Sequence, residues 1–147
     1  MPMKRTPASG LKSPKTRLSR SETMARVKAV NTSPELVVRR ALHAAGLRYR
    51  LHCPDLPGKP DIVLRRRKAI VRVNGCFWHS HPGCKRARIP LTRQHYWHPK
   101  LERNVARDRA TEAELELAGW RVLTVWECEL KTSDRLSSLV DELKEIQ

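Results

Sequence analysis

The sequence predicts an α/β domain built around a mixed sheet. Three observations carry this. Short apolar runs with strand character occur at Ile62-Val63-Leu64, at Ala69-Ile70-Val71-Arg72-Val73 and at Arg121–Trp126. A long helical pattern separates the last two runs. Helix-start signals stand ahead of the first run, and a final amphipathic segment follows the last one. The resulting order, α-α-β-β-β-α-β-α, belongs to a layered α/β architecture.

Each element has a local cause. Ser19 with Glu22 forms a capping-box pattern that starts a short helix over residues 20–30. Thr32-Ser33-Pro34-Glu35 starts the next, with a capping hydroxyl followed by proline in the first turn. Leu36, Val37, Ala41, Leu42 and Ala45 form its apolar stripe, and Gly46 is its natural stop. Tyr49 to His52 reads as short and extended. Arg65-Arg66-Arg67-Lys68 joins the first two strands of a hairpin in which Leu64 faces Ala69, so Asp61 faces Arg72 beside Val73. The long helix is expected to follow Pro99 and run to Gly119, with Leu101, Val105, Leu115 and Ala118 turned inward. Arg121–Trp126 reads as a buried-type strand. From Ser133 on, Leu136, Leu139, Val140, Leu143 and Ile146 mark the last helix.

Length and charge bound the function. The chain has 147 residues, near the modal size of one domain. No apolar run approaches the ~18 residues of a spanning helix, so no membrane role is expected. The basic start is not followed by an apolar stretch, so no secretory signal is expected and the protein reads as cytoplasmic. Lys and Arg number 30 against 15 Asp and Glu, a net charge of +15. Such a field serves a polyanion, most commonly nucleic acid. Residues 1–20 contain six Lys and Arg and no acidic residue, with three prolines. Residues 1–18 therefore read as a basic flexible arm, ahead of a single domain over 19–147.

A few carboxylates stand out against this background. Asp61 lies across from the end of a strand that runs into Asn74-Gly75-Cys76. That arrangement can bring a carboxylate and a backbone carbonyl onto one hard cation; Mg²⁺ needs few protein oxygens because it keeps several waters. On DNA such an ion would activate water and stabilise the leaving oxygen. Asp108 shares the inward stripe of the long helix, seven residues from both Leu101 and Leu115. An inward carboxylate needs a cation or hydrogen bonds. Glu112 lies on the same stripe, so either of the two could instead be paired with arginine. Glu35, in the first turn of its helix, suits the helix dipole as well as a site.

The four cysteines are 53, 76, 84 and 128. In a cytosolic protein they should be reduced, which favours metal binding over disulfides. Cys76 and Cys84 bracket His79 and His81 within one loop. Cys76, His81 and Cys84 can supply three tetrahedral zinc ligands, with Cys128 at the end of the last strand as the fourth. The rival set uses His79 and frees His81. Cys128 could also be a buried apolar residue. Phe77 and Trp78 lie inside this loop, and Tyr96-Trp97 lies among Arg93, His95, His98 and Lys100. Rings held on such a loop can enter base steps, or they can pack in a core, as Trp120 and Trp126 should.

Four blocks taken together resemble the Vsr, or very-short-patch repair, endonuclease family. They are Pro57-Gly58-Lys59-Pro60-Asp61, Asn74-Gly75-Cys76-Phe77-Trp78-His79, Asn104-Val105-Ala106-Arg107-Asp108-Arg109, and Gly119 to Cys128. The resemblance covers residues 19–147. It implies a restriction-endonuclease-like, three-layer α/β fold: a central mixed sheet flanked by helices, with a structural zinc. It also implies a Mg²⁺-dependent nickase that cuts duplex DNA 5′ to the T of a T:G mismatch left by deamination of 5-methylcytosine. Carried over by position, Asp61 and the Val73 carbonyl resemble the Mg²⁺ ligands. His79 resembles the catalytic histidine that activates water or assists proton transfer, Asp108 the helix aspartate that holds metal-bound waters or that histidine, and Glu35 the glutamate near the site. Phe77, Trp78 and Trp97 resemble an intercalating wedge. Cys76, His81, Cys84 and Cys128 resemble the structural zinc ligands. The family further implies a monomer with a functional link to a cytosine-5 DNA methyltransferase and to mismatch-repair proteins.

The chain departs from the family at named places. Asn74 stands where the family often has a histidine or an acidic residue; it can hydrogen-bond a metal-bound water but is a poor proton acceptor. Val73 replaces a threonine, a change that keeps the backbone carbonyl. Pro82-Gly83 stretches the spacing between His81 and Cys84. Two alternatives follow: a zinc-stabilised DNA- or mismatch-binding protein with weak or no catalysis, and a nickase without mismatch preference.

Overall fold

The computed structural model describes residues 17–25 and 30–147. The expected arm lies outside the described residues except for its last two positions, as do residues 26–29 of the first expected helix. The elements are α1 (Arg20–Ala25), α2 (Ser33–Ala44), β1 (Arg50–Leu51), β2 (Ile62–Leu64), β3 (Ala69–Asn74), α3 (Gln94–Leu117), β4 (Arg121–Trp126) and α4 (Ser133–Glu145). The four strands lie side by side in chain order. β1 and β2 are antiparallel, β2 and β3 are antiparallel, and β3 and β4 are parallel. The sheet is therefore mixed, as expected. A parallel pair needs a crossover, and α3 provides it.

Side chains alternate across β3. Ala69 and Val71 join Val38, Leu42, Ile62, Leu64, Val125, Leu139 and Leu143 in the main core, between the sheet and helices α2 and α4. Ile70 points the other way and packs with Val63, Cys53 and Leu115 beneath α3. The result is three layers, helices α2 and α4, then the sheet, then α3. A third, smaller cluster of Phe77, Trp97 and Leu101 lies beyond the end of β3, with Met24, Trp78 and Ile89 packed on it.

The hairpin register is the expected one: Leu64 faces Ala69 and Ile62 faces Val71. α2 begins with a full capping box, in which Thr32 Oγ1 accepts from the Glu35 N–H and Glu35 accepts from the Thr32 N–H. Arg67 donates to the carbonyls of Leu143, Lys144 and Ile146, closing the end of α4. At the other edge of the sheet, Arg135 of α4 donates to the Thr124 carbonyl of β4 (3.2 Å) and pairs with Glu142 (3.0 Å) and Glu129 (3.5 Å).

Four expectations are corrected. In α2 the inward positions are Glu35, Val38 and Leu42, whereas Val37 is 37% exposed. Leu42 and Ala45 pack inward as expected, and the buried face gains Glu35 and Val38 through the i, i+3, i+7 spacing that starts from Glu35. α3 begins five residues before Pro99, which lies inside it. Burial of Trp97 against the third cluster holds this early turn in place. Ala118 is exposed, as the C-cap beyond the last turn of α3. β4 is half-buried along most of its length, and only Val125 is fully enclosed, because β4 is an outer strand.

The corrected face of α2 has an energetic consequence. Leu42→Ala should cost about 2–5 kcal/mol, whereas Val37→Ala should stay within about 0.5 kcal/mol. Urea unfolding midpoints of the two variants check this.

Candidate active site

One cleft of ≈ 890 Å³ opens where α2, the β2–β3 hairpin, the 75–79 loop and α3 meet, and Glu35, His52, Asp61, Arg72, Val73, Asn74, Trp78, His79 and Asp108 all line it. Strand alternation brings these residues together. Asp61 precedes β2, so the hairpin register sets it against the end of β3, where its Oδ2 accepts from the Val73 N–H at 3.5 Å. Arg72 shares the α3 side of β3 with Ile70. It reaches Asp108 at 2.8 Å and Glu112 at 3.5 Å. Both acidic residues of that helix face are thus met by one arginine.

Asp108 has a second partner. His79 Nδ1 lies 2.5 Å from its Oδ2. Partial burial raises the Asp108 pKa, but the hydrogen bond and charge of His79, then Arg72, outweigh it and hold the carboxyl below the ordinary range. Asp108 is therefore ionised and can accept an Nδ1–H of His79, an arrangement that in the neutral form of the ring puts the lone pair on Nε2. The loop is fixed to α3 by Asn104, whose side chain donates to the Trp78 carbonyl at 3.2 Å.

Asp61 has the opposite electrostatics. Burial first, then the negative charge of Glu35, raise its pKa; the Val73 N–H, His52 and Arg72 lower it by less. Glu35 is 2% exposed. Its Oε1 accepts from Arg39 at 2.8 Å and lies 3.3 Å from His52 Nε2. Two crowded carboxylates under mutual repulsion are the setting in which a divalent cation fits. Asn74 is buried at the end of β3 and also lines the cleft.

Behind the cleft, Cys76, His81, Cys84 and Cys128 bring their ligand atoms within 4.8 Å of one another. Cys128 Sγ is 3.4 Å from His81 Nδ1. Of the two ligand sets open from the sequence, the chain gathers the one containing His81. Ser80 takes a left-handed φ of +50°, and the backbone kink separates the two histidines, His79 to Asp108 and His81 to the cysteines. His81 also stacks on Trp126, with ring centroids 4.1 Å apart. Burial pushes the Cys76 thiol up to about 12, with the neighbouring thiols adding to it. Cys84 is lowered, since the N–H of Arg86 and the hydrogen bonds of Cys76 and Cys128 outweigh its desolvation. Four nitrogen and sulfur donors at this spacing suit a tetrahedral metal.

The aromatic residues form a block. Phe77, Trp78 and Trp97 meet edge to face, with centroids 5.2–5.7 Å apart. Trp97 is fully buried, its indole N–H donating to Ser21 Oγ at 2.9 Å, and Phe77 is 5% exposed. In this conformation Trp97 presents no face to a base, and it is Trp78 that is half-buried along the cleft. Arg20 in α1 lies over the Phe77 ring and donates to the carbonyls of Arg86 and Arg88.

Sequence reasoning passed over His52 and Arg72. Alternation along β3 was a signal for Arg72. Extending the Leu51–Ile62 pairing by one residue was a signal for His52, whose N–H donates to the Asp61 carbonyl at 3.1 Å.

A basic α/β chain with a carboxylate–histidine cleft and a cysteine–histidine cluster belongs with the DNA endonucleases, and comparison with known proteins supports this. The family model for the DNA mismatch endonuclease Vsr matches residues 14–86. The chain is 52% identical over 107 residues to the type II nicking enzyme V.XorIIP of Xanthomonas oryzae, covering 73% of this chain and 78% of that protein. It is 42% identical over 130 residues to the type II nicking enzyme V.NmeAIP of Neisseria meningitidis (86% and 92%). It is 36% identical over 129 residues to the DNA mismatch endonuclease Vsr of Escherichia coli (86% and 82%). The chain belongs to the Vsr family of DNA endonucleases.

The opposed electrostatics of the two aspartates predict opposite stability effects at pH 7 without added divalent cation. The native pKa of Asp108 is depressed. Its stabilisation is complete above the unfolded value of about 3.8 and is lost as pH falls through the lower native value. Asp108→Asn should therefore lower the unfolding midpoint. The native pKa of Asp61 is raised, so ionisation there opposes folding above the unfolded value. Asp61→Asn should raise the midpoint. Thermal unfolding of the two variants at pH 7 checks both signs.

Proposed function

We propose that this protein is a Mg²⁺-dependent endonuclease that nicks duplex DNA 5′ to the T of a T:G mismatch formed by deamination of 5-methylcytosine. The observation that carries the reading is the convergence of Asp61, the Val73 peptide and the His79–Asp108 pair on one cleft of a basic chain. Asp61 and the Val73 carbonyl would hold Mg²⁺, which when bound would activate water and stabilise the leaving oxygen. His79 accepts a proton at Nε2 or returns it, while Asp108 holds the ring and Arg72 keeps Asp108 ionised. Glu35 adds negative charge beside Asp61. Asn74 orients by hydrogen bonding and takes no proton.

On this reading Trp78, backed by Phe77 and Trp97, is the wedge that probes the mismatch, and ring entry between bases requires the aromatic block to shift. The surplus of cations supplies the phosphate contacts. The protein works as a monomer in the bacterial cytoplasm, in a pathway linked to a cytosine-5 DNA methyltransferase and mismatch-repair proteins. A second reading, a nickase without mismatch preference, is favoured by the naming of the Xanthomonas and Neisseria relatives as type II nicking enzymes.

Incubation with T:G and T:A duplexes in Mg²⁺ separates these readings. We expect a single-strand break on the T:G duplex alone, and a loss of about a thousandfold or more in Asp61→Ala, since removing a metal ligand takes away several kcal/mol of transition-state stabilisation. Equal nicking of both duplexes would establish the second reading, and undiminished nicking by the variant would remove Asp61 from the chemistry.

The cysteine–histidine cluster we assign to structural Zn²⁺ held by Cys76, His81, Cys84 and Cys128. Metal binding at such a site is coupled to folding. Cys128→Ser should purify with less than one equivalent of zinc and unfold at lower temperature. Metal analysis finding full occupancy in that variant would take Cys128 out of the ligand set.

A further inference from the structure

We infer that His52 is an inner-sphere ligand of the cation held by Asp61, with Glu35 as its hydrogen-bonding support, so that the site of this chain takes a nitrogen-accepting divalent metal in preference to Mg²⁺. The inference rests on the cation site proposed above and adds a residue to it. Glu35, His52 and Asp61 bring their ligand atoms within 4.8 Å of one another.

The proton positions follow from counting donors. Arg39 Nη2 carries two hydrogens. It lies 2.9 Å from Asn31 Oδ1, 2.8 Å from Glu35 Oε1 and 3.0 Å from His52 Nε2. The two oxygens are the nearer acceptors and use both hydrogens. His52 Nε2, 3.3 Å from Glu35 Oε1, is then the ring nitrogen to which we assign the proton. The lone pair falls on Nδ1, which faces Asp61 Oδ1 at 3.9 Å.

In that tautomer two acceptors face each other with no proton between them. The gap is too long for a hydrogen bond. It is short enough to be spanned by one cation, whose bonds to oxygen and nitrogen of about 2.0–2.2 Å reach at most about 4.4 Å between donors. The support is of the right kind as well: a metal-bound histidine ordinarily donates its other N–H to a carboxylate, and here Glu35 is buried and anchored by Arg39. His52 and Asp61 are both about 30% exposed, open to the cleft (29% and 31%). His52 takes a left-handed φ of +46°, which histidine adopts more readily than most side chains. Mg²⁺ prefers oxygen and keeps its waters, whereas transition metals accept imidazole.

Mn²⁺ is a suitable probe. It is paramagnetic, and among divalent first-row metals it has the least tendency to displace zinc from thiolates. Pulsed EPR of the zinc-loaded full chain with one equivalent of Mn²⁺ should show a directly bonded nitrogen. That signal should persist in His79→Gln and vanish in His52→Gln, and Mn²⁺ affinity should fall about tenfold or more in the second variant. Mg²⁺, measured by competition, should bind more weakly than Mn²⁺ to the wild type, with the difference narrowed in His52→Gln. Absence of nitrogen coupling in the wild type, or coupling and affinity unchanged in His52→Gln, would overturn the inference. Asp61→Ala separates the two levels. If it leaves Mn²⁺ bound as tightly, the proposed cation site itself fails. If it abolishes binding while His52→Gln has no effect, only the role of His52 fails. Should His52→Gln not fold, the wild-type and His79→Gln spectra decide the matter.

Discussion

The alternation of side chains along β3 is the constraint on which the rest of the molecule depends. Val71 lies in the core under α2 and α4, while Ile70 and Arg72 face α3. A slip of one residue would put a guanidinium into the main core and a valine against Asp108, exchanging every contact on both faces. The antiparallel pairing with β2 and the parallel pairing with β4 hold the strand from both sides. Because β3 runs directly into Gly75-Cys76-Phe77-Trp78-His79, its register also determines where the histidine and the first cysteine emerge.

The cleft is a region of opposed charges within a cationic protein. Asp108 is neutralised twice, by Arg72 and His79. At Asp61, burial and the repulsion of Glu35 together outweigh the Val73 N–H, His52 and Arg72. The fold thus bears a local electrostatic cost at one carboxylate and recovers stability at the other. The cation proposed at Asp61 would relax that cost.

The hairpin around Leu64 and Ala69, and with it the position of Asp61 against the end of β3, could be read from the sequence because β-branched runs of this length leave little choice of pairing. The cysteine spacing likewise pointed to the cluster, though only the kink at Ser80 shows which histidine enters it. Other features were hidden for identifiable reasons. β1 has two paired residues, too few to show a period, so His52 carried no pattern that set it beside Asp61. Proline ordinarily marks a helix start, yet α3 begins earlier because Trp97 gains a buried aromatic environment and a hydrogen-bond partner in Ser21. That partner lies 76 positions away in the chain, beyond any local pattern. The burial of Glu35 in α2 was hidden because a glutamate reads as polar surface, when its partners Arg39 and His52 enclose it.

β4 is the outer strand of the sheet and consists largely of residues that favour extended pairing. Its free edge is a place where a strand from another chain could add. Arg135 already occupies the Thr124 carbonyl and is itself held by Glu129 and Glu142. An incoming strand would have to displace a guanidinium bound to two carboxylates before gaining a ladder bond at that carbonyl. One arginine on the final helix therefore acts as a stop against edge-to-edge association, in a protein with a net charge of +15.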